Sequence, residues 1–176
     1  MRKVMYLMGA LDDSDIEWLG ANGTALRVVP DQVLVREGQP IESLYVVLDG
    51  QLAVKAGDAV VATLWAGEVV GEISFVDSRP PLATVTAVNT SRVLAVRRDI
   101  LQAKIAADTR FAANFYRALA IFLADRLRAT TTRLAFGKPG QEAAADAADE
   151  LGDDLMETVS LGTRRFDNLL RRVGGG

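Results

Sequence analysis

The stretch Gly67-Glu68-Val69-Val70-Gly71-Glu72-Ile73-Ser74-Phe75-Val76-Asp77-Ser78-Arg79-Pro80-Pro81-Leu82-Ala83-Thr84-Val85 decides how the chain is read. A valine-rich strand runs into Gly71, whose missing Cβ lets the backbone turn sharply and approach a neighbour closely. The next few residues suit a very short helix. The Pro80-Pro81 pair then makes a turn into a second strand that starts at Leu82. The free N–H groups of residues 72–75 form the positive end of that helix, where an anion or the Glu72 carboxylate is stabilised. On these residues alone two readings stand: a loop between strands with a capping glutamate, or an anion-binding turn.

On either side of this stretch the chain reads as strands and turns. Apolar runs at 26–29, 33–35, 44–48, 52–54, 59–64, 82–88 and 93–96 alternate with turn residues, a spacing that predicts a closed or sandwich-like β structure. Asp49-Gly50, between two apolar runs, is the strongest hairpin signal; Ala56-Gly57-Asp58 and Asn89-Thr90-Ser91 mark further turns. Before the strands, residues 11–19 read as a short helix. Asp12 is its N-cap, with Leu11 and Ile16 as a hydrophobic staple, or else Ser14 and Glu17 form a capping box; Asn22-Gly23 ends it. Residues 3–8 are a short strand or a docking segment.

Helices follow the strands. Asp99 caps a short helix over 100–106 and Asp108 a long one over about 109–134. The long helix carries two apolar stripes, one through Phe111, Phe115, Ala118 and Phe122, the other through Tyr116, Leu119, Leu123 and Leu127. A helix lying on a β structure needs one stripe, so the second either widens the core-facing side or meets a second copy of the chain. Gly137-Lys138-Pro139-Gly140 breaks the helix and opens a linker, placed at 136–150. An acidic stretch over 141–159 follows, and then an amphipathic helix over 163–173, within a tail placed at 151–176. The apolar face of this last helix is Phe166, Leu169, Leu170 and Val173. It either packs back on its own domain or a dimer mate, or docks a partner; four arginines over about three turns are thin support for a membrane surface.

Composition narrows the function. The chain has 176 residues, 49% of them hydrophobic, enough for one domain with a buried core and an appendage. Cysteine and histidine are both absent, which removes thiol nucleophiles, histidine general bases and Cys/His zinc sites together. The acids at 142–157 lack the glycine and ligand spacing of a calcium loop, and no pair of carboxylates is spaced for acid–base chemistry, so no metal and no enzyme is expected. A net charge of −3 offers no basic field for nucleic acid. The absence of disulfides, and of any long apolar run, predicts a cytoplasmic protein without a transmembrane segment.

The stretch 71–85 resembles the phosphate-binding cassette of cyclic nucleotide-binding domains, the family of the catabolite activator protein and the protein kinase A regulatory subunits. Gly71-Glu72-Ile73-Ser74 matches the first half of the cassette and Ala83-Thr84-Val85 its end. Glu37-Gly38-Gln39-Pro40 and residues 45–50 resemble the start of the same fold, and the likeness covers roughly residues 11 to 134. It implies an α+β fold: a jelly-roll-like β-roll at about 24–97 with an N-terminal helix and C-terminal helices, within a domain at 1–135. It implies cAMP or cGMP as ligand and no further cofactor. Glu72 would bond the ribose 2′-hydroxyl, while amides around Ile73, Ser74 and Ala83 and the Thr84 hydroxyl would hold the cyclic phosphate. It also implies that helix 109–134 covers the base and forms a homodimer.

One position departs from the pattern. The family's phosphate-binding arginine falls at residue 81, which here is Pro81, without a charge or an N–H. A charge-assisted hydrogen bond is worth roughly 1.5–3 kcal/mol, so its loss weakens nucleotide binding about tenfold to over a hundredfold. Arg79, two positions earlier, is the one arginine in the loop and the candidate replacement. Two functions follow: a non-catalytic cyclic nucleotide sensor that relays ligand state through the long helix and the tail, or the same fold without ligand, serving as a docking module. A DNA-binding transcription factor is not expected, because about forty residues remain past Leu134 and the first half of them is acidic.

Overall fold

A computed structural model of the protein describes residues 8–136 and 153–174. Helix α1 (Asp13–Asn22) is followed by strands β1 (Thr24–Val28), β2 (Val33–Val35), β3 (Ser43–Asp49), β4 (Gln51–Ala56), β5 (Ala59–Trp65) and β6 (Val69–Val70). A short helix α2 (Glu72–Asp77) leads to β7 (Thr84–Ala87) and β8 (Ser91–Arg97). Helices α3 (Arg98–Ala107), α4 (Thr109–Phe136) and α5 (Asp153–Gly174) complete the described chain. The eight strands form two antiparallel four-stranded sheets, β1-β8-β3-β6 and β2-β7-β4-β5, with helices at the ends. This is the expected α+β β-roll.

The two central strands of the first sheet, β3 and β8, are buried on both faces, whereas β1 at its edge is largely exposed. Leu44, Val46 and Leu48 of β3, with Leu94 and Val96 of β8, face the helices. Val47 and Val93, one residue out of phase, face the second sheet together with Leu52, Leu64 and Val85. Residues 44–48 therefore read as an unbroken apolar run instead of an alternating one. The second sheet turns its other face to solvent, and Val60, Val61 and Trp65 of β5 are exposed.

The Asp49-Gly50 signal corrects the hairpin expectation. β3 and β4 belong to different sheets, so this bend is a corner where the chain crosses between them. Gly50 has φ +94°, and a Cβ there would lie 2.3 Å from Ser91 Oγ. Ser91 starts β8 at the neighbouring corner, and its hydroxyl oxygen accepts from the Gln51 N–H at 3.0 Å. The two corners thus pack against each other. A turn signal reports local backbone conformation and leaves the partner strand open. The true two-residue hairpin is Gly57-Asp58, where Ala56 pairs with Ala59.

Asp12 caps α1, and its capping-box partner is Asp15 rather than the Ser14/Glu17 pair. The Gly23 N–H closes the helix on the Leu19 carbonyl. Asp108 Oδ1 accepts from the Phe111 N–H at 2.9 Å and so starts α4 as expected. Phe111, Phe115, Ala118 and Phe122 are all buried, with the Phe111 and Phe115 rings stacked at 5.5 Å. The second stripe is divided: Leu119 is buried, whereas Tyr116 and Leu127 are 46% and 68% exposed, so α4 does not present one wide core-facing side.

Helix α5 is longer than the expected 163–173 and lies against α1. Leu169 is fully buried in the helix-side core, with Phe166, Leu170 and Val173 packed partly buried around it. Arg165 bonds Asp13 at 2.6 Å and the Gly9 carbonyl at 3.1 Å, and Arg172 pairs with Glu17 at 2.8 Å. The four apolar residues read as a face for docking a partner thus cover the chain's own core, which corrects that reading. Burying Leu169 alone is worth about 2 kcal/mol, more than an exposed helix gains from its arginines. Residues 3–7, the linker beyond Phe136 and the acidic stretch up to residue 152 lie outside the described residues. Among the described residues no helix is long and apolar enough to cross a membrane.

Candidate functional site

Gly71 sits between β6 and α2 with φ +93°, and an added Cβ would come within 3.2 Å of the Ser43 carbonyl oxygen. The turn it makes carries Glu72 inward. The Glu72 side chain is 1% exposed and pairs with Arg126 of α4. Arg126 also lies over the Phe122 ring, 5.2 Å from its centroid, one helical turn back. Burial raises the pKa of Glu72; the Arg126 charge and the main-chain amides of Glu72 and Gly71 pull the other way, and Glu68 adds to the rise. A carboxylate in this position is costly to desolvate, so it is kept charged by its cation and amides or takes a proton.

A cavity of about 210 Å³ opens beside this pair. Its wall comes from residues 70–74, from the loop 79–83, from Val54, Leu64 and Val85 of the second sheet, and from Arg126. Six of the seven expected ligand residues meet here: Gly71, Glu72, Ile73, Ser74, Arg79 and Ala83. Pro81 lines the cavity as well, in the position where the resemblance expects an arginine.

Thr84 is placed differently. Its hydroxyl oxygen accepts from the Glu37 N–H at 3.1 Å, while the Pro81 carbonyl accepts from the Gly38 N–H at 2.9 Å. Both contacts tie the end of the cassette loop to the turn at residues 37–38, and Val85, next along β7, faces the cavity instead. A second groove of about 270 Å³ shares Ile41 with the cavity, and its polar groups Arg36, Gln39 and Glu42 are exposed. Among the described residues no group of three or more acidic side chains is gathered to hold a metal ion.

The sequence model of the cyclic nucleotide-binding domain matches residues 25–108, which run from β1 to the end of α3 and contain all of the cavity wall except Arg126. Residues 25–108 belong to the cyclic nucleotide-binding domain family. Solved structures agree on the fold. A cyclic nucleotide-binding domain from Methylobacillus flagellatus KT superposes with a TM-score of 0.70 at 20% identity, covering 80% of this chain and 85% of that one. The N-terminal domain of a transcriptional regulator from Streptomyces coelicolor A3(2) is 28% identical, with a TM-score of 0.59 and coverage of 77% and 95%. The regulatory domain of Toxoplasma gondii PKA, crystallised with cAMP, is 29% identical over 56% of this chain and 39% of its own, with a TM-score of 0.52. No curated protein matches the chain.

Arg126, outside the matched residues, was not singled out in the sequence. It belongs to neither apolar stripe of α4, and its partner lies 54 positions earlier. A lone basic residue in a helix full of arginines carries no local signal. Arg98 was missed too. It is the first residue of α3, and its guanidinium reaches the carbonyls and hydroxyl at the end of α2.

Proposed function

We propose that the protein is a non-catalytic regulatory module that senses a cyclic nucleotide, cAMP or cGMP, in the cavity beside Glu72. The observation that carries this reading is the buried Glu72 carboxylate at the cavity wall, held by a cation from α4. A carboxylate so placed accepts hydrogen bonds from a ribose hydroxyl and gains most when water is excluded. Arg79 and Arg126 are the cations on the wall, and together they offer the positive charge that Pro81 does not. The likeness to a cAMP-bound regulatory domain supports the ligand class. Ligand entry that draws Arg126 or Glu72 into new contacts alters the bond that ties α4 to α2, which is the relay in this reading. The exposed Tyr116 and Leu127 of α4 suit a second copy of the chain.

The test is calorimetric titration with cAMP and with cGMP, with Glu72→Ala as control and sedimentation on the same sample. Micromolar binding lost in the control supports the reading. Absence of heat and of any thermal shift at millimolar nucleotide overturns it, because a ligand of the native state must stabilise that state. A monomer at high concentration removes the second copy from the scheme.

A second reading has its own observation in its favour. Pro81 supplies no charge, Thr84 is engaged by Glu37, and Arg126 already satisfies Glu72. In that reading the roll binds no nucleotide and acts as an interaction module, and the same titration separates the two.

A further inference from the structure

Helix α2 is six residues long and is bounded at both ends by left-handed residues, Gly71 at φ +93° and Ser78 at φ +60°. Ser78 has a Cβ and strains in that conformation, so something must hold it there. The Ser78 N–H bonds the Ser74 carbonyl at 3.0 Å. From outside the cassette comes Arg98. One guanidinium nitrogen donates to the Ser74 carbonyl at 2.7 Å; the other donates to Ser78 Oγ at 2.9 Å and to the Phe75 carbonyl at 3.3 Å. The same group lies 5.3 Å from the Phe75 ring centroid. Three acceptors and a ring face are thus met by one planar fork, which a lysine cannot reproduce.

We propose that Arg98 is a positioning residue for the ligand cavity and the fixed link between the cassette and the helical layer. The Ser78 turn sets the direction in which Arg79 and Pro80 leave α2, and both then line the cavity. A cation at the C-terminal end of α2 also offsets the negative end of the helix, adding a second donor to the Ser74 carbonyl and one to the Phe75 carbonyl. The Arg98 backbone is anchored in turn, its N–H donating to the Glu42 carbonyl at 2.8 Å just before β3. Along α3, Lys104 reaches Asp108 at 2.8 Å, and Asp108 caps α4. Because Arg126 of α4 returns to Glu72 at the start of α2, the contacts close a ring: α2 to α3 by Arg98, α3 to α4 by Asp108, α4 to α2 by Arg126. Opening the ring at Arg98 frees one end of α2 while both sheets stay paired.

The proposal deepens the cyclic nucleotide reading and rests on it for the affinity arm alone. The experiment is amide hydrogen exchange on the full chain without nucleotide, comparing the wild type with Arg98→Gln and Arg98→Lys, followed by cAMP titration of each. We expect faster exchange confined to about residues 72–83 in Arg98→Gln, with strand protection unchanged, and cAMP affinity lower by about tenfold, because binding must then order the freed end of α2. Arg98→Lys keeps the charge without the fork and falls between the two. Unchanged exchange in 72–83, or loosening spread through both sheets, overturns the positioning role; if Arg98→Gln does not fold, the Arg98→Lys pattern decides. Should the wild type take up no cAMP, the function reading fails on its own, and the exchange pattern still decides the role of Arg98.

Discussion

Glu72 and Asp15 are the two buried acids of the described residues, and each faces an arginine of α4. Their arginines, Arg126 and Arg110, stand about 24 Å apart along the helix. Burial raises the pKa of both. For Glu72 the opposing charge is Arg126; for Asp15 it is Lys104 and Arg165, with Asp108 adding to the rise. Their surroundings differ. Asp15 belongs to a capping box three residues wide, taking the Asp12 N–H at 3.2 Å, while its Oδ1 has no hydrogen bond and sits 3.8 Å from Arg110. The cations around it come from three helices: Lys104 of α3, Arg110 of α4 and Arg165 of α5. Glu72 is paired across the fold and borders a cavity. Equal burial therefore marks structure in one place and a candidate site in the other, and the empty volume beside the group separates them.

Three substitutions test that contrast. Asp15→Ala removes the reciprocal cap and leaves the Asp12 N–H without its acceptor, while Arg110 keeps its pair with Asp12. Urea unfolding should show a loss of about 2 kcal/mol, with nucleotide affinity unchanged. An affinity loss matching that of Glu72→Ala would erase the distinction.

Arg126→Met should cost about 1–2 kcal/mol at pH 8, less than a fully buried pair because Arg126 is partly exposed. The cost depends on a charged Glu72. The Arg126 contribution is complete above the raised Glu72 pKa and fades as the pH falls through it, so melting curves of variant and wild type should converge in acid. The raised pKa has a further effect of opposite sign. Folded Glu72 takes its proton before the unfolded chain does, so lowering the pH towards the ordinary carboxylate range adds to wild-type stability from this group. A gap between the two melting curves that holds constant from pH 8 to pH 4.5 would place the role of Arg126 elsewhere.

The smallest effect belongs to Thr84→Val, which removes the acceptor for the Glu37 N–H. We expect a loss of about 0.5–1 kcal/mol in thermal unfolding and no change in cAMP titration, because this hydroxyl serves the loop and not the cavity. A selective loss of affinity would return Thr84 to the ligand site.

Much of the fold was legible because its signals are local. Gly71, the turn chemistry around the strands, the caps Asp12 and Asp108, and the periodicity of the Phe111 stripe each act within a few residues. The cassette was legible for the same reason: a backbone turn and its carboxylate lie next to each other in the chain. Tertiary structure alone decided that Asp49-Gly50 is a corner between sheets, that the Phe166–Leu169 face covers the chain's own core, and that Thr84 bonds Glu37. It alone brought Arg126 to Glu72 and Arg98 to the end of α2. The physical reason is common to all of them. A donor, a charge or an apolar face states what it requires of a partner, and which partner satisfies it depends on packing among groups far apart in sequence.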